Sequence, residues 1–349
     1  MKDINSCNIH KLESMMESSV NICIVTHMKP DGDAMGSTTA MYRFLKKAGR
    51  QAKIVLNDPY PAYLSFLVSA DMKDDVVIYG DDPSAAYQTI TGSDLIICLD
   101  FNAFHRTDRL EEALSSAQGA KVLIDHHLNP SREDFSLSFS ETEISSASEL
   151  LYHILMATSA IGGDACRLGK ECAESLMTGM TTDTNNFANS VFPSTLHMAS
   201  DLLEAGADRY AILNNLYNQY SENRLRLMGH MMKDLLHITD DGVAYIVLDR
   251  KTQEDYMVGE GDTEGFVNMP LSIAHVRMSI LAKEDTDRIR ISIRSKRGTS
   301  ANMCSGRFFN GGGHENAAGG KLLIPADVEG IGAVAEYIER TTHIFLKDE

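Results

Sequence analysis
Three near-continuous aliphatic runs in the N-terminal half each end on a side chain that can bind a metal. Asn21-Ile22-Cys23-Ile24-Val25-Thr26 runs into His27, Leu95-Ile96-Ile97-Cys98-Leu99 into Asp100, and Lys121-Val122-Leu123-Ile124 into Asp125-His126-His127. Runs without polar alternation are what the buried strands of a parallel sheet present. Residues 34–48 space Met35, Met41, Phe44 and Leu45 among small and basic residues and stop at Gly49, which predicts a helix. Further strands are expected at 53–56, 75–79, 94–100 and 121–125. Alternation of this kind predicts an α/β fold, a mostly parallel sheet with helices on both faces.

Ser146-Ala147-Ser148-Glu149 has capping-box spacing before Leu150, Leu151, Ile154 and Leu155, so a helix is expected to start there. A second helix is expected at about 170–180, and residues 195–236 read as helical. Strand patterns then crowd together at 243–248, 276–282 and 288–294, with the polar link 283–287 reading as a hairpin turn. A glycine-rich stretch at 311–320 and a terminal helix near 328–341 follow. The expected organisation is a metal-bearing domain over 1–190, a helical connector over 191–236, and a smaller α+β domain over 237–349.

Composition narrows the class. Apolar content of 43% and charged content of 23% are those of a soluble globular chain, with no signal-like or membrane-spanning run. The six cysteines show no CxxC spacing, and Cys23 and Cys98 lie inside strand runs, so a reduced, cytoplasmic protein is expected. A net charge of −17 argues against a groove for long nucleic acids, whose affinity rests on neutralising phosphates. A short anion held locally remains compatible with it, and so does a homodimer.

The segment His27-Met28-Lys29-Pro30-Asp31-Gly32-Asp33 offers three ligands around a turn. Carboxylates at i and i+2 serve two adjacent ions more readily than they chelate one. Asp100, Asp125, His126 and Asp183 add further donors. Oxygen and imidazole donors without thiolate suit Mn²⁺, Mg²⁺ or a related cation rather than structural zinc. Their number suggests two ions roughly 3.5–4 Å apart, which would lower the pKa of a bridging water and clamp a phosphoryl group. Taken alone, each piece has a plainer explanation: the loop as a capping turn, the triplet as a polar strand end. The common placement at strand ends is what favours metal. The remaining histidines, His10, His105, His153, His197, His230, His237, His275 and His343, show no partner pattern.

These residues resemble the DHH phosphoesterase family over nearly the whole chain. The matching stretches are Thr26-His27…Pro30-Asp31-Gly32-Asp33-Ala34…Gly36-Ser37, Asp100, Asp125-His126-His127 and Thr182-Asp183-Thr184. Arg294-Ser295-Lys296 and Phe309-Asn310-Gly311-Gly312-Gly313-His314…Ala317-Ala318-Gly319 resemble the family's associated C-terminal domain. The resemblance implies two divalent cations, Mn²⁺ first with Mg²⁺ or Co²⁺ as alternatives. One would be held by His27, Asp31 and Asp100, the other by Asp33, Asp100, His126 and Asp183. Asp125 would orient the site and His127 would face the substrate phosphate. Members of this length resemble the bacterial oligoribonuclease and pAp-phosphatase group, which acts on very short RNAs, pApA-type dinucleotides and 3′-phosphoadenosine 5′-phosphate by attack of a metal-bridging hydroxide.

In the second half, period-two geometry sets Ile289, Ile291 and Ile293 against Arg288, Arg290, Arg294 and Lys296. Arg288 and Arg290 read best as a solvated face, whereas Arg294 lies in the matching motif. Gly311-Gly312-Gly313 would let backbone amides approach an anion, with His314 adding a donor and Arg307 nearby. Substrate binding is therefore expected at Arg294, Gly312, Gly313 and His314, in a cleft between the halves that measures substrate length. The alternatives are exopolyphosphatase, pyrophosphatase or cyclic-dinucleotide phosphodiesterase activity, or a non-catalytic nucleotide-binding regulator on the same fold.

Overall fold
Six segments of the N-terminal half line up as one parallel sheet: β1 (Ile22–Thr26), β2 (Ala52–Leu56), β3 (Val76–Ile78), β4 (Leu95–Leu99), β5 (Ala120–Asp125) and β6 (Leu137–Ser140). Their spatial order is β3-β2-β1-β4-β5-β6. The computed structural model describes residues 3–259 and 261–348; the side chain of His314 lies outside the described residues. Alternate residues of each strand feed two separate cores. Ile22 and Ile24 join Met41 and Leu45 of the helix Gly32–Lys47, while Cys23 and Val25 join Ile90, Leu110 and Leu114 on the other face. Both faces are covered, which is why the strands carry no polar alternation. The short edge strand β6 escaped the sequence reading because only Leu137 and Phe139 of its four residues are apolar.

The chain divides into two units, Met1–Gln219 and Tyr220–Glu349. The stretch expected as a connector over 191–236 is therefore split. Its first helices, Pro193–Glu204 and Arg209–Tyr217, bury Met198, Leu202, Ile212 and Leu216 in the core of the first unit. The helix Glu222–His230 instead packs Leu227 against Ile246 and Leu248 of the second unit.

The second unit is built on a mixed sheet of β7 (Leu236–Ile238), β8 (Val243–Leu248), β9 (Met278–Glu284), β10 (Arg288–Ser295), β11 (Gly312–His314) and β12 (Ala317–Leu323). The order is β11-β12-β10-β9-β8-β7, with β8 and β9 parallel and the other pairs antiparallel. Ile289, Ile291 and Ile293 point into a core closed by the helices Ala301–Phe308 and Val334–Asp348. The glycine-rich stretch forms a strand pair. A Cβ on Gly311 would lie 1.9 Å from the carbonyl oxygen of Gly319, so these backbones approach more closely than any side chain allows. Among the described residues no helix is long and apolar enough to cross a membrane.

Candidate metal centre
Strands β1, β4 and β5 deliver His27, Asp100 and Asp125-His126-His127 to one edge of the first sheet. β1 and β4 are neighbours where the strand order reverses, the point at which open α/β sheets leave a crevice beyond the strand ends. Asp100 follows β4 with φ +64°, a left-handed conformation that aspartate tolerates better than most residues. Its amide donates to the carbonyl of Ile124 at 3.1 Å, tying the end of β4 to the end of β5.

The loop after β1 does two jobs. Asp31 caps the helix Gly32–Lys47, its Oδ1 accepting from the amides of Asp33 and Ala34 at 3.1 Å each. The capping turn anticipated as the plainer explanation is thus real, and it coexists with the ligand cluster. His27 donates from Nδ1 to the carbonyl of Met28 at 2.8 Å, since a carbonyl only accepts. That bond leaves Nε2 directed at Oδ2 of Asp100, 3.5 Å away, and Oδ1 of Asp31, 3.8 Å away.

Asp33 is the second residue of the helix Gly32–Lys47 and almost wholly buried. Its Oδ2 accepts from the amide of Ala147 at 2.6 Å and its Oδ1 from the amide of Ser148 at 2.9 Å. Those donors are the first amides of the helix Ala147–Ala157, which carry the positive end of its dipole. Asp183 arrives on the end of a third helix, Lys170–Asp183. Close packing of small residues makes this possible. A Cβ on Gly36 would fall 2.7 Å from the amide nitrogen of Gly179, and one on Gly179 would fall 2.7 Å from Oδ1 of Asp33.

The ligand-capable atoms form three overlapping groups, each within 4.8 Å: His27, Asp31 and Asp100; Asp33, His126 and Asp183; and Asp100, His126 and His127. Asp31 and Asp33 fall into different groups, as carboxylates two residues apart around a turn should. His126 Nε2 lies 3.5 Å from Oδ1 of Asp100, 3.5 Å from Oδ2 of Asp183 and 4.0 Å from Oδ2 of Asp33. Nδ1 of His127 lies 3.8 Å from Asp100 but is already bonded to Oδ1 of Asp125 at 2.7 Å. This bond ranks the third group behind the other two. Asp125 is fully buried and also accepts from the His127 amide at 3.1 Å, so its partner is His127 rather than the whole cluster.

The charges of the site press strongly on one another. Burial, reinforced by Asp100 and Asp183, pushes Asp33 well above the usual carboxylate range. Burial with Asp100 and Asp31 likewise pushes Asp183 up to about 7, against the pull of His126. Burial disfavours charged imidazoles, yet Asp100 and Asp31 outweigh it and raise His27 to about 11. Asp100, with Asp33 and Asp183, raises His126 to about 10 in the same way. Burial of Asp100 is outweighed in turn by His126 and His27, which hold it well below the usual range. Oδ1 of Asp100 is buried with no hydrogen-bond partner among the described residues, a costly state that a cation relieves. An all-oxygen-and-imidazole donor set around that orphaned atom fits divalent cations.

The residues expected at the substrate lie in the second unit. Arg294 is half-buried on β10, donates to the carbonyl of Ile293 at 2.9 Å, and pairs with no carboxylate among the described residues. Arg288 and Arg290 instead pair with the turn acids, Arg290 with Asp285 at 2.8 Å and Arg288 with Asp287 at 3.4 Å. Arg307 pairs with Asp348 at 2.8 Å and does not stand ready for an anion. The amide of Gly313 is also taken, donating to Oδ1 of Asn302 at 2.8 Å. Sequence reasoning missed Gly179, Ala147 and Ser148 as parts of the site. Backbone donors and helix contacts leave no side-chain signature.

Comparison with known proteins shows the family. Residues 21–180 match the model of the DHH family, N-terminal domain, and residues 228–339 match that of the DHHA1 domain. The crystal structure of an exopolyphosphatase-related protein from Bacteroides fragilis is 34% identical, covers 99% of each chain and superposes with a TM-score of 0.88. The chain belongs to the DHH family of phosphoesterases. The bifunctional oligoribonuclease and PAP phosphatase NrnA of Bacillus subtilis is 27% identical, over 86% of this chain and 89% of that one. The cyclic-di-AMP phosphodiesterase PdeA of Listeria monocytogenes is 26% identical, over 88% of this chain and 46% of that larger protein. For this DHH protein, the family models fall one in each unit, the metal-capable cluster lying in the first and Arg294 in the second.

Proposed function
We propose that the protein is a two-metal phosphoesterase of very short oligoribonucleotides, of the pApA type, and of 3′-phosphoadenosine 5′-phosphate. The observation that carries this reading is Asp100, whose Oδ2 lies 3.5 Å from Nε2 of His27 and whose orphaned Oδ1 lies 3.5 Å from Nε2 of His126. His27, Asp31 and Asp100 would hold one cation, and Asp33, Asp100, His126 and Asp183 the second, with Mn²⁺ preferred over Mg²⁺ or Co²⁺. Bound there, the cations would supply Lewis acidity and lower the pKa of a water. Asp125 keeps the proton of His127 on Nδ1, which leaves Nε2 to exchange a proton with a phosphate oxygen.

The substrate class is supported by the NrnA relative and by Arg294, whose guanidinium has no competing carboxylate among the described residues. An arginine so placed suits a terminal phosphate. In this reading the second unit, Tyr220–Glu349, binds the substrate, and the acidic surface is tolerated because only a short anion binds. The test is product release from pAp, pApA, RNAs of two to ten nucleotides, cyclic dinucleotides and pyrophosphate, with Mn²⁺ and Mg²⁺ compared. Preference for pAp and pApA supports the proposal. Equal cleavage of long RNA would sink the short-substrate part, and preference for cyclic dinucleotides would favour the activity of the Listeria relative.

A further inference from the structure
The carboxylate of Asp33 is held from outside its own helix, and what holds it is itself held. The amides of Ala147 and Ser148 that grip Asp33 open a helix entered through Ser145 and Ser146. Glu149, the last residue of the motif with capping-box spacing, does not reach back to the Ser146 amide. Its Oε2 accepts from the amide of Ser145 at 3.1 Å, from the Ser145 hydroxyl, and from the hydroxyl of Thr195 at 2.7 Å. Oε1 lies 3.6 Å from Nε2 of His153. Thr195 accepts in turn from the amide of Phe192 at 3.1 Å, which anchors the arrangement to the helix Pro193–Glu204. The amide of Glu149 donates to Oγ of Ser146 at 3.0 Å. The turn is therefore fixed on both sides by one wholly buried acid.

A buried carboxylate is expensive unless donors converge on it, and its removal leaves those donors unpaired. Here two of the donors belong to Ser145, at the start of the turn that presents the two amides to Asp33.

We infer that Glu149 is a positioning residue of the metal centre, fixing the Ser145–Ser148 turn so that both oxygens of Asp33 stay set for a cation shared with His126 and Asp183. The inference rests on the reading of these three residues as ligands. Groups that orient metal ligands typically cost 10–100-fold in affinity when altered. Glu149 acts through one intervening turn, so the lower end, about 10-fold, is expected.

The test is Mn²⁺ binding, followed by electron paramagnetic resonance and calorimetry, for the wild type, Glu149→Gln and Ser145→Ala. His27→Ala serves as the reference that removes the other group. Wild type is expected to bind two equivalents. Glu149→Gln should weaken one of them about 10-fold, the one that survives in His27→Ala, with an unchanged circular dichroism spectrum. Ser145→Ala should weaken the same equivalent by less. A lowered unfolding midpoint with both affinities unchanged would assign Glu149 a purely structural role and overturn the inference. Equal weakening of both equivalents would also overturn it. If Glu149→Gln does not fold, Ser145→Ala and Thr195→Val decide by the same criterion of selective weakening. A wild type that binds no Mn²⁺ would overturn the metal-centre reading itself, and the inference with it.

Discussion

Oδ1 of Asp125 lies 2.7 Å from Nδ1 of His127, and the same carboxylate accepts from the His127 amide. A single buried acid thus fixes both the backbone and the ring of the last histidine in the triplet, while the middle histidine turns toward Asp33, Asp100 and Asp183. The adjacent histidines thus face different partners.

This division predicts a clean separation of effects. His127→Ala should lower kcat about 100-fold or more, the scale of a lost proton-transfer group, and leave two equivalents of Mn²⁺ bound. His126→Ala should lose one equivalent as well as activity. Metal stoichiometry measured beside turnover checks both, and loss of metal in His127→Ala would contradict the assignment.

Asp100→Asn is the sharpest probe of the shared ligand. Asparagine accepts the left-handed backbone at φ +64° and is nearly isosteric, so the fold should persist. Affinity for both cations should collapse, with activity falling at least about 1,000-fold, the scale of a lost charge-stabilising group. Calorimetry with Mn²⁺ reads this directly. Retention of either equivalent would argue against bridging.

Proton release should accompany metal binding. His27 and His126 keep their protons up to about 11 and about 10, and Asp183 is itself pushed up to about 7, so at pH 7 at least two protons should leave as cations bind. Apparent affinity should therefore rise with pH through neutrality and level off only above these values. Calorimetric heats in buffers of different ionisation enthalpy count the protons, and heats independent of the buffer would contradict this account.

Arg294→Ala should raise KM for pAp and pApA about 10-fold or more, the value of one charge-assisted hydrogen bond. Hydrolysis of bis-p-nitrophenyl phosphate, which has no terminal phosphate to grip, should be unaffected. Equal losses on both substrates would place Arg294 in structure rather than recognition.

Glu149 predicts an acid-sensitive stability. Burial opposes its charge, but His153, Ser145, Ser194 and Thr195 outweigh it and hold the carboxyl at about 2, below the ordinary 4.5. A depressed folded-state pKa contributes stability above the unfolded value, and that stability is lost as pH falls from 4.5 toward 2. The contribution is on the order of 3 kcal/mol. Urea unfolding of metal-free protein from pH 7 to 3 should show a steeper decline for wild type than for Glu149→Gln; parallel curves would refute this.

The sequence by itself determined the parallel sheet and the strand-end donors. Buried strands must be continuous in aliphatic residues, and open sheets concentrate chemistry beyond the strand ends, so both leave a linear record at 21–27, 95–100 and 121–127. Only the tertiary structure decided how the donors are grouped and held. The split of Asp31 from Asp33, the two amides on Asp33, and the approach of Gly36 to Gly179 that brings Asp183 in depend on helices far apart in the chain. The strand pairing of the glycine-rich stretch was not legible for the same reason. A glycine required by a neighbouring backbone and a glycine in a loop look identical until the neighbour is in place.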